Sequence, residues 1–282
     1  MAIGTTRGKR RLGRFIKPLR LRSGLSAEEV AERASCSEQT VYRLEAGDSL
    51  PSRLRVAAIL AVLQASDGER ATAFQLWEVA DVDGSVIEHA QDLPVKYRRF
   101  RMDENEAMSE RTLDMVMVPG LLQTDDYARA MSAGMRRLIK SPDWEKRAGA
   151  ERAERRALLT RTDPLTCHAL IGAAVLRNRV GSRATMIEQL DHLLAMTELD
   201  NVIIQVLPSD FGTHGAMVGS VQLFRFVDNE EAAYAESLLG LEPVKEPSAI
   251  RALSAIWHDI ALAAPSPDQS RELIRTERRR TR

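Results

Sequence analysis

Residues 25–47 read LSAEEVAERASCSEQTVYRLEAG, and this stretch decides the fold of the N-terminal part of the chain. Ser26 stands three residues before Glu29, which is the capping-box pattern that begins a helix. A second N-cap residue, Ser37, begins another helix, which we expect over residues 37–46. Since only a tight turn fits between the two helices, the pattern predicts a helix-turn-helix.

Apolar residues at helical spacing extend this prediction in both directions. Before the motif, Leu12, Phe15 and Leu19 predict a helix that Ser23-Gly24 ends. After it, a fourth helix begins at Pro51-Ser52, and a fifth covers about residues 69–80. The residues expected to face inward on the fourth helix are Leu54, Ile59, Leu60 and Leu63. The N-terminal part is thus predicted to be an all-α domain of five helices.

These five helices resemble the DNA-binding domain of the lambda-repressor (XRE) type. The resemblance implies that the third helix lies in the major groove and contacts base edges. The residues expected to read bases are Glu38, Gln39 and Arg43, because Glu pairs with cytosine, Gln with adenine and Arg with guanine. The residues expected to contact the DNA backbone are Arg11, Arg14, Arg20, Arg22, Ser37, Thr40, Tyr42, Arg53 and Arg55. For Thr40 and Tyr42, contact with a thymine methyl group is the alternative.

Two positions depart from the pattern of that domain type. The second helix often begins with a Gln that contacts phosphate, and Ala27 stands there instead. The turn position usually held by glycine is Ser35, which is strained if its φ angle is positive. Neither departure breaks the motif. A five-helix domain that contacts protein instead of DNA is the alternative interpretation.

The charge of the chain is unevenly distributed, although the formal net charge is +0. Residues 1–65 carry 12 Lys and Arg against 6 Asp and Glu, residues 66–270 carry 22 against 32, and residues 271–282 carry 6 against 2. A basic N-terminal segment on an acidic body favours a polyanion-binding module. No apolar segment is long enough to cross a membrane or to serve as a signal core, so we expect a cytoplasmic protein.

The C-terminal part mixes predicted helices and strands. The expected helices cover 97–107, a segment capped by Thr124, 143–161, 182–198, 247–264 and 267–280, and the expected strands cover 112–118, 202–207, 220–227 and 232–236. This mixture predicts an α+β domain with a small sheet. The expected boundaries are 10–80 for the helix-turn-helix domain, 81–94 for a linker, 95–275 for the C-terminal domain and 276–282 for a basic tail.

Several stretches carry a second resemblance, which covers nearly the whole chain. They are VPGLLQTDDYARAM (118–131), RRALLTR (155–161), and the run from IEQLDHLLAM (187–196) through NVIIQVLPSDFGTHGAMVGSVQLFRF (201–226). They look like a family of bacterial regulators that join an XRE-type helix-turn-helix to a C-terminal domain of unknown function. The resemblance implies a transcriptional regulator. Some members are the antitoxin-like half of a pair, encoded beside a small partner protein.

Patterns of catalysis and metal binding are scarce in the sequence. The five histidines have neither HxxxH nor HExxH spacing: His89, His168, His192, His214 and His258. Cys36 and Cys167 fall in different predicted domains, and no Walker-type, GxGxxG or GxSxG motif occurs. We therefore expect no catalytic residues, no metal and no cofactor. An enzyme whose site assembles from distant residues is the least favoured alternative.

Three C-terminal features each allow two interpretations. Pro119-Gly120 forms either a sheet-to-helix corner or the wall of a partner groove. Residues 210–215, DFGTHG, form either a connecting loop or an anion cradle. Trp257 lies either in the core or on an interface stripe.

The leading hypothesis is a regulator that reads double-stranded operator DNA. Its C-terminal domain forms a homodimer and receives a signal or partner, and a two-fold dimer places two reading helices about one DNA turn apart. The alternative is an antitoxin-like protein that sequesters a small protein encoded by an adjacent gene and autoregulates its operon. Neither hypothesis involves a membrane.

Overall fold

The computed structural model describes residues 7–82, 95–134, 144–227, 229–237 and 240–281. The chain divides into two units, Met1–Asp103 and Glu104–Arg282. Most of the predicted linker, 81–94, lies outside the described residues, and so does His89. The division into units falls within a helix that begins at Val95, where the C-terminal domain is predicted to start.

The N-terminal unit is helical, and hydroxyl caps fix where its helices begin. Its helices are α1 (Arg7–Ser23), α2 (Ala27–Arg33), α3 (Glu38–Glu45), α4 (Arg53–Val62), α5 (Asp67–Val82) and most of α6 (Val95–Glu106). At α2 the predicted capping box is present, since the Glu29 amide donates to Ser26 Oγ at 3.1 Å and the Ser26 amide to Glu29 Oε2 at 2.8 Å. Ser37 Oγ accepts from the Thr40 amide at 3.2 Å and so caps α3. Gly24, with φ +72°, follows the last residue of α1 as predicted.

One core joins helices α1 to α5, and its members differ from the sequence prediction at one residue. The fully buried members include Leu12, Ile16, Val30, Val41, Leu44, Val56, Ile59 and Leu60. Leu54 was expected among them, but it is 82% exposed, whereas Val56 is fully buried. Val56, Ile59, Leu60 and Leu63 are spaced at helical intervals along one face, and Leu54, two residues before Val56, lies on the opposite side.

The second unit is built around a mixed sheet that has six strands in the described part of the chain. The strands are β1 (Ser109–Asp114), β2 (Thr166–Gly172), β3 (Val202–Leu207), β4 (Ser220–Arg225), β5 (Glu231–Ser237) and β6 (Gly240–Pro243). Their order across the sheet is β3-β2-β1-β4-β5-β6. The β1–β2 and β2–β3 pairs are parallel, and the other pairs are antiparallel. The helices of this unit are α7 (Asp125–Gly134), α8 (Trp144–Ala157), α9 (Arg183–Met196), α10 (Pro247–Ala263) and α11 (Pro267–Arg280).

The sheet differs from the sequence prediction at its centre and at one edge. The strand expected over 112–118 lies instead at 109–114, where it pairs with β2 on one side and β4 on the other. Neither β2 nor the edge strand β6 was predicted from the sequence.

The predicted basic tail, 276–282, begins inside α11, where Glu277 is buried and Arg278 Nε lies 2.7 Å from Asp191 Oδ1.

The two faces of β1 have different chemistry because successive side chains alternate. On one face Leu113 belongs to an apolar core that also contains Leu170, Trp257 and Ile260. This core packs α10 against the sheet. The other face carries three buried polar side chains, Glu110, Thr112 and Asp114. The acids of this face lie near the ion pair of Arg155 and Glu104, whose Nη2 and Oε1 atoms are 2.6 Å apart.

Candidate nucleic-acid interface

Helix α3 presents an exposed polar face while its other face is buried. Val41 and Leu44 are 1% and 0% exposed and belong to the core of the N-terminal unit. The exposed residues of α3 are Glu38, Gln39, Tyr42 and Arg43. Because residues three and four apart share a helix face, these four side chains form one surface. The three residues predicted to read bases thus lie together and in solvent.

The turn before α3 has the backbone strain expected from the sequence. Ser35 adopts φ +53°, the left-handed region that favours glycine. The Cys36 amide donates to the Ala31 carbonyl at 2.8 Å, which closes the end of α2. Arg55 Nη1 donates to the carbonyls of both Ala34, at 2.8 Å, and Ser35. Arg55 therefore fixes the α2–α3 turn from α4.

The far end of α3 is held on α1 by an ion pair and by close backbone contact. Arg20 donates from Nε and Nη2 to the two carboxylate oxygens of Glu45 at 2.5 and 2.9 Å, and from Nη1 to the Leu25 carbonyl at 3.2 Å. The hydrogen bond that Arg20 donates to Glu45 raises the pKa of Arg20. A Cβ atom added to Gly13 would lie 2.5 Å from the Glu45 carbonyl oxygen, so only glycine allows α1 to approach this closely.

Most arginines predicted to contact the DNA backbone have partners within the domain. Arg20 and Arg55 have the partners described above. Arg22 Nη1 lies 2.6 Å from Glu69 Oε1, and the Arg53 guanidinium lies 4.3 Å from the centre of the Phe74 ring. The hydrogen bond from Arg22 helps to lower the pKa of Glu69 to about 2. Arg14 is exposed on α1 and Arg11 is half-buried. Contact of these side chains with DNA stays a prediction.

Local hydrogen bonds orient the polar groups at the start of α3. The hydroxyls of Ser37 and Thr40 lie 2.8 Å apart, so both predicted backbone-contacting residues also serve the N-cap. The charge of Glu38 and its hydrogen bond with the Tyr42 hydroxyl raise the pKa of Tyr42. Glu38 and Tyr42 are four residues apart on one helix face, and the phenol donates to the carboxylate. The face therefore displays a carboxylate, an amide, a phenol and a guanidinium.

Two of the three C-terminal features that allow two interpretations, Pro119-Gly120 and Trp257, have internal roles. Leu121 and Leu122, which follow Pro119-Gly120, are fully buried. Gln189 accepts from the Thr124 amide and donates to the Leu122 carbonyl, both at 2.8 Å, which closes the corner and favours the sheet-to-helix interpretation. Trp257 is 4% exposed and donates to the Thr112 carbonyl at 3.0 Å, so it is a core residue.

The described part of the chain offers no arrangement of three His, Cys, Asp or Glu side chains that suits a metal ion. In the same residues, every helix is too short or too polar to cross a bilayer.

The exposed side chains of α3 are hydrogen-bond donors and acceptors on a fixed scaffold. Such a face suits recognition of a polar surface.

Two family models match the chain. One, described as a helix-turn-helix domain, matches residues 11–73. The other, described as a domain of unknown function (DUF5753), matches residues 97–276. No curated protein and no solved structure matches the chain. The two matches confirm the predicted pairing of an N-terminal helix-turn-helix with a C-terminal domain of unknown function.

Proposed function

Because the chain belongs to the DUF5753 family and carries a helix-turn-helix domain before that region, we propose that it is a sequence-specific DNA-binding transcriptional regulator. In this proposal α3 enters the major groove of duplex DNA. Arg43 donates to guanine, Gln39 pairs with adenine, and Glu38 accepts from cytosine. We propose no enzymatic reaction for the chain.

One observation carries the proposal: the exposed face of α3 is polar and is anchored from behind. Val41 and Leu44 bury the inner face, and Glu45 fixes the last turn through Arg20. Base readout requires side chains held in a fixed position relative to the groove, because a bidentate hydrogen bond tolerates little displacement. The anchored helix meets this requirement.

Phosphate contacts come, in this proposal, from basic side chains on the exposed part of α1. Arg14 and Lys17 are exposed there. The carboxylates of Glu45 and Glu69 hold Arg20 and Arg22. Phosphate contacts position a protein on DNA and supply most of the salt dependence of binding. We therefore assign Arg14 and Lys17 to the backbone and give Arg20 and Arg55 a role in presenting α3.

The C-terminal unit is proposed to form a homodimer and to receive the signal. Two-fold symmetry would match two recognition helices to a pseudo-palindromic operator. The antitoxin-like alternative, in which the unit sequesters a small protein encoded by an adjacent gene, rests on the sequence resemblance and on the acidic composition of residues 66–270. Co-purification of the full chain with that neighbouring product tests this alternative directly.

Selection of bound fragments from genomic DNA, followed by titration of the selected site, tests the proposal. Arg43→Ala should weaken binding to the selected site by about 1–3 kcal/mol and relax preference at one base pair. Arg279→Ala is the matched control, because it removes an exposed arginine from α11 in the other unit and should leave both properties unchanged. Equal retention of all fragments at near-physiological salt would overturn the proposal.

A further inference from the structure

A cavity of about 360 Å³ opens between the sheet and α10 in the C-terminal unit. Its walls come from β1, β5 and α10, and the residues that line it are Arg111, Glu231, Arg251, Ser254, Ala255 and His258. The cavity is wide open to solvent, so a ligand can enter it without any movement of the chain. No residue of α3 contributes to this cavity, so it is separate from the proposed DNA-reading surface.

Arg111 makes two side-chain hydrogen bonds to other residues of the cavity lining. Its Nη2 donates to Glu231 Oε1 at 2.6 Å and to Ser254 Oγ at 2.9 Å, and its guanidinium lies 5.2 Å from the centre of the Trp257 ring. Within the described residues these are its only hydrogen bonds, and both start from one nitrogen. The side chain is 21% exposed, so its remaining donors lie on a guanidinium that is already fixed in position.

The cavity region has more positive than negative charge. Arg251, Ser254 and His258 are spaced three and four residues apart and therefore share one face of α10. Arg225 lies on the same sheet face as Arg111 and pairs in register with Glu231. Burial lowers the pKa of Arg111; the charge of Glu231 raises it, and the charge of Arg225 lowers it.

We infer that this cavity binds a small organic anion, whose phosphate or carboxylate group is held between Arg111 and Arg251, with His258 at the rim. The planar guanidinium group matches phosphate and carboxylate oxygens through paired hydrogen bonds. An anion would add negative charge where Arg111, Arg225 and Arg251 face one carboxylate, that of Glu231. Ser254, already fixed by Arg111, adds a hydroxyl next to the same group.

The position of the cavity gives the anion a way to influence the unit. Arg111 belongs to β1, the central strand that pairs with both β2 and β4, whereas Arg251 belongs to α10. A ligand that contacts both residues links α10 to the sheet beside Trp257. Binding would therefore stabilise the packing of α10, whether or not the N-terminal unit binds DNA.

Calorimetric titration of the full chain with adenosine monophosphate, citrate and neutral adenosine, at constant ionic strength, tests the inference. We expect one site per chain, with a Kd below about 1 mM, for at least one of the two anions and none for adenosine. The two anions distinguish a phosphate ligand from a carboxylate ligand. Arg251→Ala should weaken binding at least tenfold, and it removes an exposed side chain, so the fold should persist.

Arg179→Ala is the matched control, because Arg179 is exposed in the same unit and lies outside the cavity lining. Its Kd should stay within a factor of about two of the wild-type value. The tenfold loss expected for Arg251→Ala corresponds to about 1.4 kcal/mol. Absence of binding by both anions would overturn the inference, and so would equal losses in Arg179→Ala and Arg251→Ala. If operator binding fails but anion binding follows the expected pattern, only the proposed function is overturned.

Discussion

Gly13 of α1 packs directly against the carbonyl oxygen of Leu44 in α3, with no space for a side chain between them. A Cβ atom at position 13 would lie under 3.0 Å from that oxygen and from the Glu45 carbonyl as well. Both neighbours are backbone atoms, which cannot turn aside as a flexible side chain can. The position of α3, the proposed reading helix, thus depends on the presence of glycine, which has no side chain, at position 13 of α1.

Gly13→Ala should therefore destabilise the N-terminal unit. Overpacking of a close contact costs about 1–3 kcal/mol, and here the whole helix α1 must shift. For a domain of this size each kcal/mol lowers Tm by about 4–8 °C. Thermal unfolding measures the loss, and operator binding should weaken with it because the contact of α1 that positions α3 is lost.

Gly68→Ala is the control for this prediction. Gly68 lies in the first turn of α5 with nothing within 4 Å of its added Cβ, so alanine should be neutral or slightly stabilising there. If both variants unfold at the wild-type temperature, the close approach of α1 to α3 does not constrain the domain.

The ion pair of Arg20 with Glu45 should contribute more to stability than the pair of Arg22 with Glu69. Side-chain exposure is 13% and 5% in the first pair, and 57% and 23% in the second. Arg20→Met leaves the Glu45 carboxylate buried without its partner, which should cost about 1–3 kcal/mol. In Arg22→Met the Glu69 carboxylate is solvated by water instead, so the unfolding free energy measured by chemical denaturation should hardly change. Equal losses in the two variants would contradict the assignment of Arg20 to the scaffold.

The buried acids of β1 should make the C-terminal unit less stable as the pH rises. Burial raises the pKa of Asp114 from 3.8 to about 7. Burial and the charge of Glu104 also raise the pKa of Glu110 well above its usual range. The folded protein keeps the Asp114 proton at pH values where the unfolded chain has lost it. This stabilisation is therefore complete below about pH 4 and is lost as the pH rises through about 7.

Asp114→Asn should flatten that dependence, because asparagine does not titrate. The difference between 3.8 and about 7 in the pKa of Asp114 corresponds to about 4 kcal/mol. Urea unfolding at pH 5 and pH 8 measures the slope, and Asp200→Asn, at an exposed position, should retain the wild-type slope. An unchanged slope in Asp114→Asn would show that this carboxyl group ionises in the folded unit as it does in the unfolded chain.

Gly120→Ala should disrupt the buried ion pair of Arg155 with Glu104. The new Cβ would lie 3.0 Å from Arg155 Cζ and closer still to Nη1. Arginine tips are usually flexible, but this side chain is 4% exposed and is held by Glu104, so moving it separates two buried charges. The expected loss of unfolding free energy is about 3–5 kcal/mol, measured by thermal unfolding. Gly134→Ala, with open space around its Cβ, is the control and should have little effect.

The sequence predicted the local structure of the helix-turn-helix well, because its signals are short-range. Ser26 and Glu29 lie three residues apart, and Gly24 needs no distant neighbour to end a helix. The grouping of Glu38, Gln39 and Arg43 on one exposed face follows from helical spacing alone. The partners of Arg20 and Arg55 could not be predicted in this way, since Glu45 and Ala34 are brought to them by tertiary packing.

The sheet was harder to predict because strand position depends on distant pairing. The apolar run at 112–118 indicated a strand there, but pairing with β2 and β4 selects 109–114 and buries Glu110 and Asp114. The segment TCHALIG of β2 had a usable signal, a short apolar run after a proline, which suits a central parallel strand. The cavity at Arg111 joins residues more than a hundred positions apart, and no sequence spacing indicates it.

Ser35→Gly should stabilise the helix-turn-helix without altering the reading face. Ser35 adopts φ +53°, a conformation that costs a residue with a side chain about 1 kcal/mol. Part of this gain is offset by the greater freedom of glycine in the unfolded chain, so we expect a net gain of about 0.5 kcal/mol. The hydrogen bonds from Arg55 go to backbone carbonyls and survive the substitution.

Two further variants isolate the effect of the backbone angle at Ser35. Gln64→Gly is a positive control, because Gln64 has φ +52° and the following amide closes α4 on the Leu60 carbonyl at 3.0 Å, just as the Cys36 amide closes α2. Ser35→Ala removes the hydroxyl but keeps the same strain, so it should not stabilise the domain. A rise in Tm for Ser35→Ala equal to that for Ser35→Gly would show that the hydroxyl, and not the left-handed backbone, destabilises the turn. A rise for glycine alone would place the strain in the backbone, directly before the helix that is proposed to read DNA.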